Sequence, residues 1–149
     1  MAVIYDPSRI KTVYTSKLGT TGEYLTKMAQ DNDALIAING GGFEDPNYVG
    51  NGATPLGITF SNGKLITSKT YKGQGGLIGF TQDDKLVLGK MTADQAKKQK
   101  IRDGVTFGPF LIINGKASSV SGNGGWGTAP RTAIGQRQDG IVLFLVVDG

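Results

Sequence analysis

Short apolar runs separated by turn-forming pairs set the pattern of this chain, and they predict β-hairpins. Residues 56–60 and 64–67 flank Asn62-Gly63, a pair that favours a type I′ turn between antiparallel strands because both residues tolerate positive φ. Residues 76–81 and 85–88 flank Gln82-Asp83-Asp84 and predict a second hairpin. The middle of the chain is therefore predicted to be rich in antiparallel strands.

The longest apolar run lies in the final stretch. Residues 132–137 and 141–147 predict a third hairpin around Gln138-Asp139-Gly140. Residues 141–147 contain no polar position, which is typical of a strand in the middle of a sheet that is covered on both faces. Such a strand holds the next residue, Asp148, on a rigid support; the alternative is that Asp148-Gly149 only begins a turn.

Two short helices are predicted from capping signals. Thr20 and Glu23 have the spacing of a capping box, in which each side chain bonds to the backbone of the other residue, and they begin a helix that ends near Asn32. Residues 92–95, Thr-Ala-Asp-Gln, predict the same start for a basic helix that ends near Lys100.

Further strands are predicted at residues 10–15, 34–38, 105–107 and 110–113. Many strands joined by hairpins and few helices predict an α+β fold: one domain over residues 1–149, with a mostly antiparallel or mixed β-sheet, two short helices and several hairpins. Residues 34–38 and 141–147 are predicted to be the most buried strands.

The composition limits the catalytic sites, metal sites and partners that this chain can have. The 149 residues include no Cys and no His, which excludes a Ser-His-Asp triad, a Cys nucleophile and a zinc site built on either residue within this chain. The net charge of +4 suits an anionic partner, but the charges do not cluster with aromatic residues, so nucleic acid is not predicted. No apolar run approaches the ~20 residues of a membrane span.

Two glycine-rich segments are candidate binding loops. Asn39 and Phe43 enclose three consecutive glycines, whose amides can point at a phosphate; a tight structural turn is the alternative. Glu44 and Asp45 come next as secondary candidates. Residues 118–128 form a Gly/Ser-rich loop with the single Trp126, which either closes over a sugar or lies in a plain surface loop.

Three motifs, in order, resemble the phosphodiester glycosidase family, the family of the uncovering enzyme. Residues 37–43 resemble its Asn-x-Gly-Phe turn, and residues 106–111 resemble its Phe-Gly-Pro segment. Residues 131–135 resemble its Arg-Thr-Ala segment. The turn and apolar strand that follow, ending in Asp148-Gly149, resemble the family's strand that leads to an Asp-Gly pair. In that family the chain continues to an Asn-Leu-Asp-Gly-Gly-Ser-Ser type motif that this sequence lacks, and the resemblance therefore implies a truncated part of the domain.

The resemblance implies hydrolysis of a sugar 1-phosphodiester, which releases sugar and a phosphomonoester. The catalytic residues that it implies are Asp148, Arg131 and Asn39. The substrate-binding residues that it implies, together with the loop aromatic, are Gly41, Gly42, Phe43, Gly108, Thr132 and Trp126. Arg131 suits a phosphate because a guanidinium donates two parallel hydrogen bonds, and Asp148 suits the stabilisation of an oxocarbenium-like centre.

The remaining expectations also depend on the resemblance. The partner is a phosphorylated glycan of the envelope or exopolysaccharide type, and contact with the rest of its own domain is a further expectation. The location is extracellular or in the bacterial cell envelope, although this chain carries no signal segment. No cofactor or metal is predicted, with a divalent cation left open. The alternatives are a non-catalytic glycan- or cell-wall-binding module and a fragment that is inactive without its C-terminal part.

Overall fold

The computed structural model of the chain describes residues 1–46, 49–122 and 127–149. Its strands are β1 (Ala2–Ile4), β2 (Ile58–Ser61), β3 (Lys64–Ser68), β4 (Gly76–Thr81), β5 (Leu86–Gly89), β6 (Ile101–Phe107), β7 (Ile112–Ile113), β8 (Lys116–Ala117), β9 (Arg131–Gln136) and β10 (Val142–Val147). Its α-helices are α1 (Leu25–Asp31) and α2 (Ala93–Lys98), and a 3₁₀ turn covers Pro7–Arg9. All described strand pairs are antiparallel, which confirms a sheet-rich fold with two short helices.

The larger sheet has five strands in the order β3-β2-β6-β4-β5, and it holds the main hydrophobic core. The first two predicted hairpins form part of it. Asn62 and Gly63 have φ values of 48° and 74°, as a type I′ turn requires. The buried core side chains, packed between the sheet and α2, are Phe60, Leu77, Ala96 and Ile101.

Helix α2 begins as its sequence predicts. The Thr92 hydroxyl accepts a hydrogen bond from the Gln95 amide at 3.2 Å, and the Gln95 side chain accepts one from the Thr92 amide at 2.8 Å. This capping box satisfies two backbone donors that the first turn leaves unpaired. It also fixes the helix so that Ala96, fully buried, faces the sheet.

The smaller sheet has the order β1-β10-β9 and contains the predicted final hairpin. Strand β10 is central, as predicted, but its predicted cover on both faces is wrong over its second half. Val142 is fully buried, whereas Leu145, Val146 and Val147 are 40%, 54% and 47% exposed. Strand β1 pairs only with residues 142–144, so the last part of β10 also lacks a neighbouring strand on one edge.

Three predictions for the first quarter of the chain are wrong. Residues 10–15 form no strand, because the Ile10 carbonyl and the Thr12 amide bond to side chains of β6 instead. The capping box at residues 20–23 does not form: α1 begins after Tyr24, and Glu23 accepts from the Ser16 amide and hydroxyl. Residues 34–38 form no strand and include the exposed Leu35, since no described strand pairs with them.

Two smaller strand predictions are corrected in extent. The strand predicted at residues 105–107 is the end of the longer β6, and the strand predicted at 110–113 is shortened to β7, which pairs with β8. In the described part of the chain, no helix has the length and apolar character needed to cross a membrane.

A polar cluster, the Arg102 hub, joins the N-terminal segment and both sheets at the start of β6. It comprises Arg102, Asp84, Asp103 and Gln136. The Arg102 guanidinium donates to the carbonyls of Ile10 at 2.7 Å and Pro7 at 2.8 Å, and it pairs with Asp84 and Asp103 at 2.9 and 2.6 Å. The hub therefore holds the N-terminal segment and the turn with Asp84 against the start of β6.

Gln136, at the end of β9, connects the small sheet to the hub. Its side-chain oxygen accepts from the Leu86 amide at 2.7 Å, and its nitrogen donates to the carbonyls of Asp84 and Gly140. The turn between β9 and β10 is thereby held at the hub. The open ends of the same two strands, at Arg131 and Val147, consequently lie away from the hub.

Candidate active site

The glycine loop, residues 39–43, is bound to the end of β6. The Gly42 amide donates to the Thr106 carbonyl at 3.2 Å, and the Gly42 carbonyl accepts from the Leu56 amide at 2.8 Å. A Cβ atom at Gly41 would lie 3.1 Å from the Thr106 carbonyl oxygen, so this close approach favours glycine. The expectation that these amides are free for a phosphate is therefore wrong for Gly42.

Gly108 lies immediately after β6, beside the same loop. A Cβ atom there would collide with the Gln74 carbonyl, and the peptide bond between Gly108 and Pro109 is cis. The lack of a side chain thus lets the segment before β4 pass directly over this turn. Contact between Gly108 and a substrate stays a prediction.

The small sheet brings the third motif to this position. The Thr132 hydroxyl donates to the Asn39 carbonyl at 3.5 Å, across 93 positions of the sequence. Val147 pairs with Arg131, so Asp148 comes directly beside the start of β9. We call this region, where the glycine loop, the Gly108 turn and the open ends of β9 and β10 meet, the motif end.

Arg131 is half-buried and is bonded to its own chain. Its guanidinium donates to the carbonyls of Gly127 at 2.7 Å, Ala129 at 3.0 Å and Pro130 at 3.2 Å. These bonds stabilise the turn that leads into β9. The prediction that Arg131 binds phosphate thus requires the guanidinium to exchange carbonyl partners for phosphate oxygens.

Asp148 differs from the other carboxylates near the glycine loop. Its side chain is exposed and, among the described residues, makes no hydrogen bond or ion pair. Glu44 pairs with Lys69 at 2.8 Å, and Asp45 accepts from the amides of Val49 and Gly50. The two secondary candidates therefore hold loops in place, while Asp148 is available to a ligand.

Of the two aromatic candidates, the structure describes Phe43 but not Trp126. Phe43 is 40% exposed and its backbone forms an isolated bridge with Pro55, so one part of its ring is accessible. The proposed contact of Trp126 with a sugar falls outside the described residues. The stacking role of either aromatic residue stays a prediction.

An open groove of about 3440 Å³ passes between the two sheets and includes the motif end. Its lining includes Asn39, Gly41, Gly42, Gly108, Arg131 and Thr132. Within residues 1–46, 49–122 and 127–149, no three acidic side chains come together as ligands for a metal ion. Arg131 is the charged group of the motif end that lines the groove, while Asp148, just after β10, is not among the lining residues.

The segment between β3 and β4 also borders the motif end, which the sequence pattern does not predict. Tyr71 donates through its hydroxyl to the Gln74 carbonyl at 3.1 Å, and burial raises the pKa of that hydroxyl. The same Gln74 carbonyl faces Gly108. The only signal in the sequence is a pair of lysines, Lys69 and Lys72, in a glycine-containing loop.

Comparison with known proteins identifies the family of this chain. The family model described as phosphodiester glycosidase matches residues 32–149, and the chain belongs to that family. The chain is also 28% identical, over 155 aligned positions, to the SPbeta prophage-derived uncharacterized protein YomE of Bacillus subtilis strain 168. That alignment covers 97% of this chain but only 23% of the relative. The family indicates a hydrolase, at the level of the reaction class.

Proposed function

We propose that this chain contributes to the hydrolysis of sugar 1-phosphodiesters in a phosphorylated glycan, of the exopolysaccharide or bacterial cell-envelope type. The observation that supports it best is the meeting of three separated family motifs at one end of the fold, with Asp148 unpaired among the described residues. The small net positive charge of +4 suits an anionic substrate. The proposed place of action is outside the cell or in its envelope.

The reaction breaks the bond between the anomeric carbon and the phosphate oxygen. The phosphomonoester leaves with the electron pair, and a water molecule supplies the new oxygen on the sugar. Asp148 acts in one of two ways: it removes the proton of the attacking water, or its carboxylate attacks the carbon first and water then releases the sugar. Because phosphate is a good leaving group, the reaction makes little demand on a general acid, which fits a chain without His.

The other site residues bind and orient the substrate in this proposal. Arg131 neutralises charge on the phosphate, and Asn39 orients the sugar or the carboxylate. Gly41 and Gly42 shape the loop beside the ligand, Gly108 shapes the adjoining turn, and Phe43 and Thr132 border the sugar. Trp126 is proposed to stack on it from its own loop.

The test is a product analysis with phenyl N-acetylglucosamine 1-phosphodiester. The protein is the 149-residue chain and, in parallel, any longer polypeptide that contains it. We expect equal amounts of reducing sugar and phenyl phosphate. Retention of the diester without release of either product would favour the alternative, a glycan-binding module. Release by the longer polypeptide alone would show that the rest of the domain completes the site.

A further inference from the structure

The phosphate of the proposed substrate needs a cation that is free to bind it. The Arg131 guanidinium already donates to three main-chain carbonyls, and the Gly42 amide already donates to Thr106. If a phosphate displaced these partners, the loss of the existing hydrogen bonds would offset part of the binding free energy that the new contacts provide. A second cation with no partner would avoid this cost.

The groove is lined by five cationic residues: Arg9, Lys11, Lys72, Arg131 and Arg137. Arg9 and Lys11 flank Ile10, whose carbonyl binds Arg102 at the hub. Arg137 belongs to the hairpin turn and pairs with Asp139 at 2.7 Å. Strand β6 has seven residues, so the hub and the Gly108 turn lie about 20 Å apart. These three cations are consequently remote from the motif end.

Lys72 occupies the segment that borders the motif end directly. On one side of it, Lys69 pairs with Glu44, next to the glycine loop. On the other side, the Gln74 carbonyl faces Gly108 and accepts a hydrogen bond from the Tyr71 hydroxyl. The backbone of this segment is thus fixed at both sides, while the Lys72 side chain is exposed.

Lys72 has no competing partner in the part of the chain that the structure describes. No carboxylate there lies within ion-pair distance of its ammonium group. Lys69, three residues earlier, is held by Glu44 and is less available. Of the two lysines in the described segment, only Lys72 is therefore free.

We propose that Lys72 is a substrate-binding residue, whose ammonium group contacts the phosphate of a sugar 1-phosphate group at the motif end. The inference deepens the proposed function and rests on it for the class of ligand. A lysine suits this position because a point charge on a flexible stem can follow a phosphate that moves as the glycosidic bond breaks. It would share the phosphate charge with Arg131 or replace it as the main cation.

The test measures binding of N-acetylglucosamine 1-phosphate by titration calorimetry to the 149-residue chain. We expect Lys72→Ala to weaken binding about tenfold, which is the usual effect of one lost charge-assisted hydrogen bond. Lys72→Arg should keep most of the affinity. Lys64→Ala is the matched control, because Lys64 is an exposed lysine at the start of β3 that does not line the groove. Equal affinity of Lys72→Ala and the wild type, or no binding by the wild type, would overturn the proposal.

Binding and turnover separate this inference from the proposed function. If Lys72→Ala binds the sugar phosphate more weakly but the wild type releases no sugar under any condition, Lys72 binds the phosphate and the proposed hydrolysis is contradicted. If both the wild type and Lys72→Ala release sugar with the same KM, hydrolysis is supported and the role of Lys72 in substrate binding is contradicted. Because Lys72 is exposed, the circular dichroism spectrum and unfolding midpoint of the variant should match those of the wild type.

Discussion

The two ends of β6 use polar residues in opposite ways. At the hub, Arg102 contacts two carbonyls and two carboxylates, and the Asp103 carboxylate also accepts from the Thr12 and Asn62 amides. At the motif end, Asp148 and Lys72 have no such partner among the described residues. Charged groups that are fully paired stabilise the fold, whereas exposed and unpaired ones are available to a ligand.

The burial of apolar side chains also differs between the five-stranded sheet and the motif end. The five-stranded sheet buries Phe60 and Leu77 to 1% exposure, while Val146 at the motif end is 54% exposed. The site residues thus lie on the less densely packed side of the molecule. Substitutions at the motif end should therefore change activity, whereas substitutions at the hub should change stability.

Asp148→Asn should give the largest change, in activity alone. The amide can neither attack the anomeric carbon nor remove a proton from water, so we expect turnover to fall by a factor of about 10³. Stability should not change, because Asp148 makes no hydrogen bond or ion pair in the described part of the chain. Asp139→Asn, on the same hairpin but at the hub end, is the control and should keep full turnover. Normal activity of Asp148→Asn would remove this residue from the mechanism.

Arg102→Met should give the largest change in stability. The substitution leaves the Asp103 side chain, 5% exposed, without its cation, and we expect a loss of about 3 kcal/mol in the free energy of unfolding. Denaturant titration measures it. Arg137→Met is the matched control: its ion pair with Asp139 is largely exposed, and its loss should cost no more than about 0.5 kcal/mol. Equal stabilities of the two variants would contradict the structural role of the hub.

The parts of the fold that the sequence predicts well are those decided by neighbouring residues. Asn62-Gly63 determines its turn by the φ values that it tolerates, and Thr92 and Gln95 reach each other within one helical turn. The final hairpin was predictable for the same reason. Each of these elements needs no distant partner in order to form.

The failures arise where a distant partner competes for the same groups. Ile10 and Thr12 alternate like strand residues, but their backbone groups bond to Arg102 and Asp103, 92 and 91 positions away. Glu23 has the spacing of a capping residue, but Ser16 binds it from the preceding turn. A local pattern cannot reveal such competition.

The candidate site shows the same limit. The motifs could be identified from the sequence, and the resemblance placed them in one site. Their physical contacts, such as that of Thr132 with the Asn39 carbonyl, depend on the fold of the whole chain. Nothing in the sequence pattern predicts that the segment with Lys72 would border Gly108.

Gln136→Leu should produce a moderate loss of stability. The Leu86 amide and the Asp84 carbonyl would lose their bonds to the Gln136 side chain, and we expect a cost of about 1–2 kcal/mol in denaturant titration. Gln138→Leu is the control, because Gln138 is exposed in the adjacent turn. A loss of activity larger than the loss of stability would show that the hub also positions the motif end. If both variants unfold at the same denaturant concentration, Gln136 does not connect the sheets.

The smallest expected effect is a pair of pKa changes at two carboxylates that accept hydrogen bonds from serines. The Ser16 amide and hydroxyl lower the pKa of Glu23 below its ordinary value of 4.5. The Ser8 hydroxyl and amide lower the pKa of Asp6 below 3.8. Since both folded-state values are depressed, each contribution to stability is present above the ordinary value and is lost as the pH falls through the folded-state value.

Two serine substitutions test these assignments against each other. Ser16→Ala removes the hydroxyl donor of Glu23, so its titration midpoint, measured by NMR of the carboxyl carbon, should rise toward 4.5 while that of Asp6 stays unchanged. Ser8→Ala should do the reverse. A midpoint of Glu23 that does not respond to Ser16→Ala would mean that the turn before α1 is not closed by this contact. The contrast between carboxylates that hold the fold and the unpaired carboxylate of Asp148 would then lose one of its examples.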